Sequence, residues 1–588
     1  MTLQTSKASR TLTPGGRLRA RGFRALAAAL VAVTALAGCG GTGNKTASQV
    51  STGNVQAIAD ETIKATDPSK SPANANKRTD TFVATIKNAG GVFLPYFYRN
   101  AWDENLVQPI FASLVVYDKD GNPVGDLAKS WEVSSDNLTY TYHLREDAKF
   151  SDGTPVTADD VAFTLTLEND PAYNFGLADF TEIGIQGAED YKSGKADSIS
   201  GIKVVDEHTV SVTTEKVNPV ALTAIGGYVL SKNYYGKDYK RGQLDYLQQF
   251  YDKPLGAGPY TLDKYVPGQE VRYTANPNYY GGKPQIEHLI FKVVTDDTAL
   301  QSYQNGDTDT DVFTPDPDVL EQLKGFGWSN VNIRTNPYFS YSIFNAKKPY
   351  LTKAVRQALY YGLDRKQIVA AWYKGYGEVA NVYAPPSNWA YTTDGVNTYD
   401  YDQAKAEQLL DQEGWTKGSD GIREKDGKKL TLTYVTKDQT DPMLTIGKDQ
   451  YKQIGIDLQT EVTDQNTETT RLHSGDYDMI TFRTSVINDP YEAVKEFGTL
   501  DESVNPEGYD NATVRDLVKQ SISASDRDAR KPVYAKLYQE LSNDPPYLLI
   551  GYIKGFNAWN DRIQGGENFF RGTGDAALQL AKLSIKQQ

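Results

Sequence analysis

Residues 430–482 place the strongest constraint on what this chain can become. A strand beginning at Leu430 gives way to a helix, a strand at 456–462, a second helix and a strand at 478–482. Such strand–helix–strand order makes the strands locally parallel with helices on their faces, and so predicts an α/β body. The stretch before it is helical. Thr352 opens a helix carrying Val355, Ala358 and Leu359, which stops at Gly362. Asp364, with Gln367 three residues on, opens another whose apolar stripe is Ile368, Val369 and Trp372. Asp400, with Gln403, opens a third that buries Ala404, Leu409 and Leu410 and ends at Gly414. Between the second and third lies an extended loop, 383–389, ending in Trp389.

Upstream the signals are those of paired strands. In 254–291, PLGAGPYTLDKYVPGQEVRYTANPNYYGGKPQIEHLIF, Gly256 and Gly258 permit a tight backbone path, and Pro259 stiffens the chain before a strand at Tyr260. Pro267-Gly268 turns it into a second strand through Val271 and Tyr273, and 286–294 is a buried strand. In 126–165, strands at 131–133 and 138–145 flank a Ser-Ser-Asp-Asn turn. Tyr140, Tyr142 and Leu144 share one face of the second strand. Thr157 with Asp160 is a helix start. A further hairpin, GIKVVDEHTVSVTT, turns at Asp206-Glu207.

At 588 residues the chain is too long for one core, and about three domains are expected. The N-terminus carries Arg17, Arg19, Arg21 and Arg24, then a short apolar run at 25–37, then Leu36-Ala37-Gly38-Cys39. That is the pattern of an export signal rather than a membrane span, and LAGC resembles the lipobox of bacterial lipoproteins. Cys39 is the single cysteine, so no internal disulfide can form. Removing the six Lys/Arg before it would take the net charge from −13 to −19, which excludes a basic nucleic-acid surface. Residues 39–79, poor in large apolar side chains, are expected to be a flexible tether, with order beginning near Thr81 in the strand FVATI.

The G-x-G-P-Y…N-x-x-Y-x-G-G-K-P order of 254–291 and the L-A-x-S-W…L-R…D-G-x-P-V-T-A-D-D-V order of 126–165 resemble the family 5 extracellular solute-binding proteins, the peptide- and nickel-binding components of ABC importers. The resemblance runs from about residue 80 to the C-terminus. It implies a two-lobed periplasmic-binding-protein-like α/β fold (type II, mixed sheets with hinge crossings) with an extra domain. Lobe I would take 80–112, 246–335 and 545–588; the extra domain 113–245; and the other lobe 336–544. The chain would leave lobe I near 335 and return near 545, where PPYLLIGYIKGFNAW is expected to be a strand pair. The resemblance also implies a monomer exported and lipid-anchored at the outer face of the cytoplasmic membrane, with permease and ATPase partners. Oligopeptides are the first ligand expected; a nickel chelate or other small solute is the second. A secreted hydrolase would need a fixed nucleophile or acid pair, and none stands out.

Candidate site residues follow from the same resemblance. The aromatic loop 90–102 is either core capping or a ligand wall, and the resemblance favours the wall, with Tyr96, Tyr98, Trp102 and Trp389 as pocket candidates and Arg99, Asn100 and Ala101 lining the cleft from lobe I. In 476–498 the strand ending in Phe482 and Arg483 leads to a cleft loop closing at Asp489-Pro490. Related peptide binders place an acid four residues before that proline to meet the ligand's amine; here the place holds Val486. Arg483, Asn488 and Asp489 are the polar groups nearby. Asp489 is the candidate for the amine, and Arg99 or Arg483 for a carboxylate; the plainer role for Asp489 is to cap the helix starting at Pro490. No cofactor is expected, and no metal. Asp307, Asp309, Asp311 and Asp318 fall at calcium-loop spacing, but Val312 stands where that loop needs Gly, so a structural role is expected. The four His are isolated, and no Walker A or G-x-S-x-G motif is present.

Overall fold

A computed structural model describes residues 59–586, apart from 88, 99–100, 119–120, 176–182, 487–488, 525 and 570–575. Cys39, Arg99, Asn100 and Asn488 lie outside the described residues, and so does the side chain of Ala101.

Two long strands, Ser329–Phe344 and Tyr547–Asn560, pair antiparallel from Ser329↔Asn560 to Ile343↔Tyr547. At one end they carry Thr310–Phe313 and the short strand Glu61–Ile63. At the other they carry Met479–Ser485, then Thr431–Thr436 and Asp457–Val462 in parallel, as the strand–helix–strand order predicts. Each long strand therefore belongs to both lobes. The crossing is visible in the ladder. Register shifts fall between Thr335 and Phe339 and again between Ser340 and Tyr341, and residues 334–338 are half-exposed while both flanks are buried. Pro337 has no N–H to give to a ladder, so the sequence weakens the sheet where the two bodies meet.

The return crossing corrects an expectation. PPYLLIGYIKGFNAW is one continuous strand rather than a pair, buried at all 14 of its positions. A strand covered on both faces shows no alternation of polar and apolar residues. Segment 59–79 corrects another: it is packed, not a tether. Glu61–Ile63 adds to the long strand, the amides of Thr66 and Asp67 donate to the Gly327 carbonyl, and Ala75 is buried. Few apolar side chains are needed, because backbone hydrogen bonds and polar side chains such as Asp60 and Thr62 hold the segment.

In lobe I the strands order as Thr81–Ile86, His288–Val293, Glu270–Ala275 and Tyr260–Val266. Residues 113–245 contribute a second four-stranded sheet, Ala128–Val133, Thr139–Leu144, Thr209–Thr213 and Ile202–Asp206. One hydrophobic cluster, running from Phe82 to Phe291 and taking in Trp559, Ile563, Leu580 and Leu583, joins both. The opposite lobe has a core on each face of its sheet. Its helices start as the caps predict at Thr352 and Asp364, which accept from Val355 and Gln367 N–H; the third starts at Asp402 rather than Asp400, accepting from Lys405 N–H. Asp309 is structural: it is buried, pairs with Arg78 and Arg562, and accepts the Val83 N–H.

Candidate ligand cleft

On the side of the lobe formed by 336–544, the strand Met479–Ser485 leads into Val486, whose side chain is buried in that lobe's core. Asp489 then caps the 3-10 turn Pro490–Ala493 by accepting the Tyr491 N–H at 3.0 Å. Its carboxylate is also held by a bidentate fork: Arg530 Nη1 and Nη2 each donate at 2.7 Å, and the Tyr534 hydroxyl donates at 3.3 Å. Both members of the pair are buried, with Asp489 6% and Arg530 2% exposed. Asp489 is thus neutralised from within its own lobe, and both its oxygens are engaged. That removes the physical basis for its expected contact with a ligand amine.

Trp389 packs under this pair. The guanidinium of Arg530 lies 5.1 Å and that of Arg527 5.3 Å from its ring, and Tyr534 meets it edge-on at 5.7 Å. Arg527 and Arg530 sit in the first turn of helix Arg527–Asn543, capped by Asp526, and their spacing puts both on one face. Phe482 packs against the lobe core, while Arg483 is exposed at the strand edge. Arg483 donates from Nε to the Ser340 hydroxyl at 3.1 Å and lies 5.6 Å from the Trp372 ring. The indole N–H of Trp372 in turn donates to Asp438 at 3.0 Å.

In lobe I, loop 90–102 divides its aromatics. Tyr98, 8% exposed, belongs to the large core. Tyr96 takes a left-handed backbone with φ 67°, packs on that core and donates to the Tyr228 carbonyl at 3.3 Å. Both phenols are pushed well up by burial. These two therefore serve the core, and Trp102, on helix Ala101–Val107, is 39% exposed. Beside it, Asp103 is buried and accepts the N–H groups of Gly90 and Gly91 at 2.7 and 3.1 Å. Glu104 is exposed, and partial desolvation of its carboxyl raises its pKa.

The extra domain also reaches this region. Its hairpin Val115–Tyr117 and Pro123–Gly125 brings Gly121 and Asn122 to Arg527, which donates to the Gly121 carbonyl and to Asn122 Oδ1. Tyr117 is bonded to Thr223 Oγ1 at 2.6 Å and is pushed up to about 12 by burial, with Asp489 and Glu492 adding to the shift. Arg527, Arg530, Tyr117 and Glu104 escaped the sequence reading. The run Asp526-Arg527-Asp528-Ala529-Arg530-Lys531 looks like any solvated helix start.

The model of the bacterial extracellular solute-binding proteins, family 5 Middle, matches residues 122–503. Oligopeptide-binding protein AppA of Bacillus subtilis is 28% identical over 471 residues, 78% of this chain and 83% of that one. Heme-binding protein A of Haemophilus influenzae is 25% identical over 529 residues, 87% of this chain and 94% of that one. Among solved structures, AppA from Bacillus subtilis in complex with a nonapeptide superposes with a TM-score of 0.67 at 22% identity, covering 87% of this chain and 99% of that one. With most of its length matched and the two-lobed architecture in common, the chain belongs to the bacterial extracellular solute-binding proteins of family 5.

Proposed function

We propose that this protein is the solute-binding subunit of an ABC importer, capturing oligopeptides between its lobes and holding to the membrane through a lipidated Cys39. The observation that carries the reading is the pair of strands shared by both lobes, with its ladder loosened at 334–338. Two bodies joined by so few crossings can swing together on a ligand, and a ligand shifts that equilibrium by preferring the closed form. The protein releases its ligand unchanged and is not an enzyme. An extended peptide offers backbone donors and acceptors at every residue, so main-chain bonds with roomy side-chain pockets give sequence-tolerant binding. Trp102, Trp389 and Phe482 serve as walls, with Ala101, Arg99, Asn100 and Asn488 as neighbours in the chain. Arg483 meets the ligand carboxylate. The amine passes to Glu104, since Asp489 is already paired.

A small chelate is the second reading, favoured by the haem-binding relative of similar length. Native mass spectrometry of the purified protein followed by titration calorimetry separates them. Co-purified peptides, and affinity for synthetic peptides that falls roughly ten-fold or more on Glu104→Gln, are expected. Binding of a haem or nickel chelate with no peptide binding would replace the first reading by the second.

A further inference from the structure

Arg527 connects two parts of the molecule that share no strand. Its guanidinium stacks on Trp389 of its own lobe and donates across to the hairpin tip of the extra domain, at the Gly121 carbonyl and at Asn122 Oδ1, 3.2 Å away. Gly121 has φ 74°, a backbone that other residues rarely adopt, so a glycine shapes the tip that Arg527 meets. The same hairpin carries Tyr117, which lies within reach of the charges of Asp489, Glu492 and Arg527. The stacking fixes a long, flexible side chain before it crosses the gap, and a planar fork loses less freedom per bond formed than an ammonium would.

We infer that Arg527 is a closure latch: it fastens the hairpin of the extra domain to the opposite lobe and so makes that domain part of the closing mechanism. Arg527 is a positioning residue here and touches no ligand. Arg530, one turn along, balances the charge of Asp489, so the latch arginine is left to bond outward. The inference rests on the two-lobed closure proposed above and not on peptides being the ligand. Loss of a charge-assisted bond shifts the equilibrium toward the open form by roughly ten-fold or more.

The test is small-angle scattering on the purified protein with no ligand added. Arg527→Ala removes the latch from one side. Asn122→Lys acts from the other, placing a like charge opposite Arg527 on an exposed loop where folding is not at stake. Both variants should show a larger radius of gyration than the wild type at an unchanged urea midpoint. Equal radii in all three would overturn the latch. Expansion in Arg527→Ala alone would also overturn it, because the effect would then come from Trp389 packing. Failure of every synthetic peptide to bind would sink the proposed ligand while leaving the scattering result intact.

Discussion

Arg530 and Asp489 are 41 residues apart in the chain and meet as a buried bidentate pair. Removing one member strands the other charge in the core, which costs about 3–5 kcal/mol, whereas replacing both by apolar residues of similar size is close to neutral. Urea unfolding should therefore show Arg530→Met strongly destabilised, and Asp489→Leu/Arg530→Met largely restored. A double variant no better than the single one would show that the pair contributes through more than charge compensation. The capping role of Asp489 was legible because Asp before Pro has a local signature; its partner was not, because no local pattern marks a contact made across the fold. A second residue-scale case is Glu507, 1% exposed. The Tyr547 hydroxyl lies 2.8 Å from Glu496 Oε1 and 3.1 Å from Glu507 Oε1. A phenol has one proton, so it can donate to only one of them. Burial, with Glu496 adding repulsion, raises Glu507 to about 7. The folded state thus keeps a proton that the unfolded chain releases near pH ~4.3. Stability from this group is full below that value and lost as pH rises to about 7, by about 3–4 kcal/mol. Glu507→Gln should flatten that part of the stability profile; an unchanged slope would count against the proton-sharing arrangement.

Among the elements, legibility followed how local the cause was. Thr157, Thr352 and Asp364 cap helices as read, because a cap is decided within four residues. The parallel order of 431–436, 457–462 and 479–485 was likewise legible from alternation of element type. Tyr547–Asn560 misled because burial on both faces erases the polarity period. Segment 59–79 misled because its anchoring is done by main-chain groups and scattered polar side chains that composition does not register. In the returning strand, a Cβ on Gly551 would stand 2.8 Å from the Val369 side chain and 3.0 Å from the Glu378 carbonyl oxygen. Gly551→Val should accordingly lose about 1–3 kcal/mol by overpacking, seen as a lower urea midpoint with the slope unchanged. A neutral result would mean that this lobe's helices yield more readily than their packing suggests.

For the molecule as a whole, attachment and motion belong together. If Cys39 is diacylated, two chains give stable anchoring where one is marginal, and Cys39→Ala should move the protein from the membrane fraction to the soluble one. Equal fractionation of variant and wild type would remove the anchor from the proposal. The contacts of residues 60–63 bear on how such an anchor would act. Asp60 accepts the Thr335 N–H at 3.0 Å and hydroxyl at 3.1 Å and pairs with Lys554, and Glu61–Ile63 continues along 331–333. Those contacts fall on the strands shared by both lobes, beside the loosened stretch 334–338. If the lobes turn about those strands as proposed, a pull applied at Asp60 acts at the pivot, where it has almost no lever arm. The leash can then hold the protein at the membrane without favouring the open or the closed jaw.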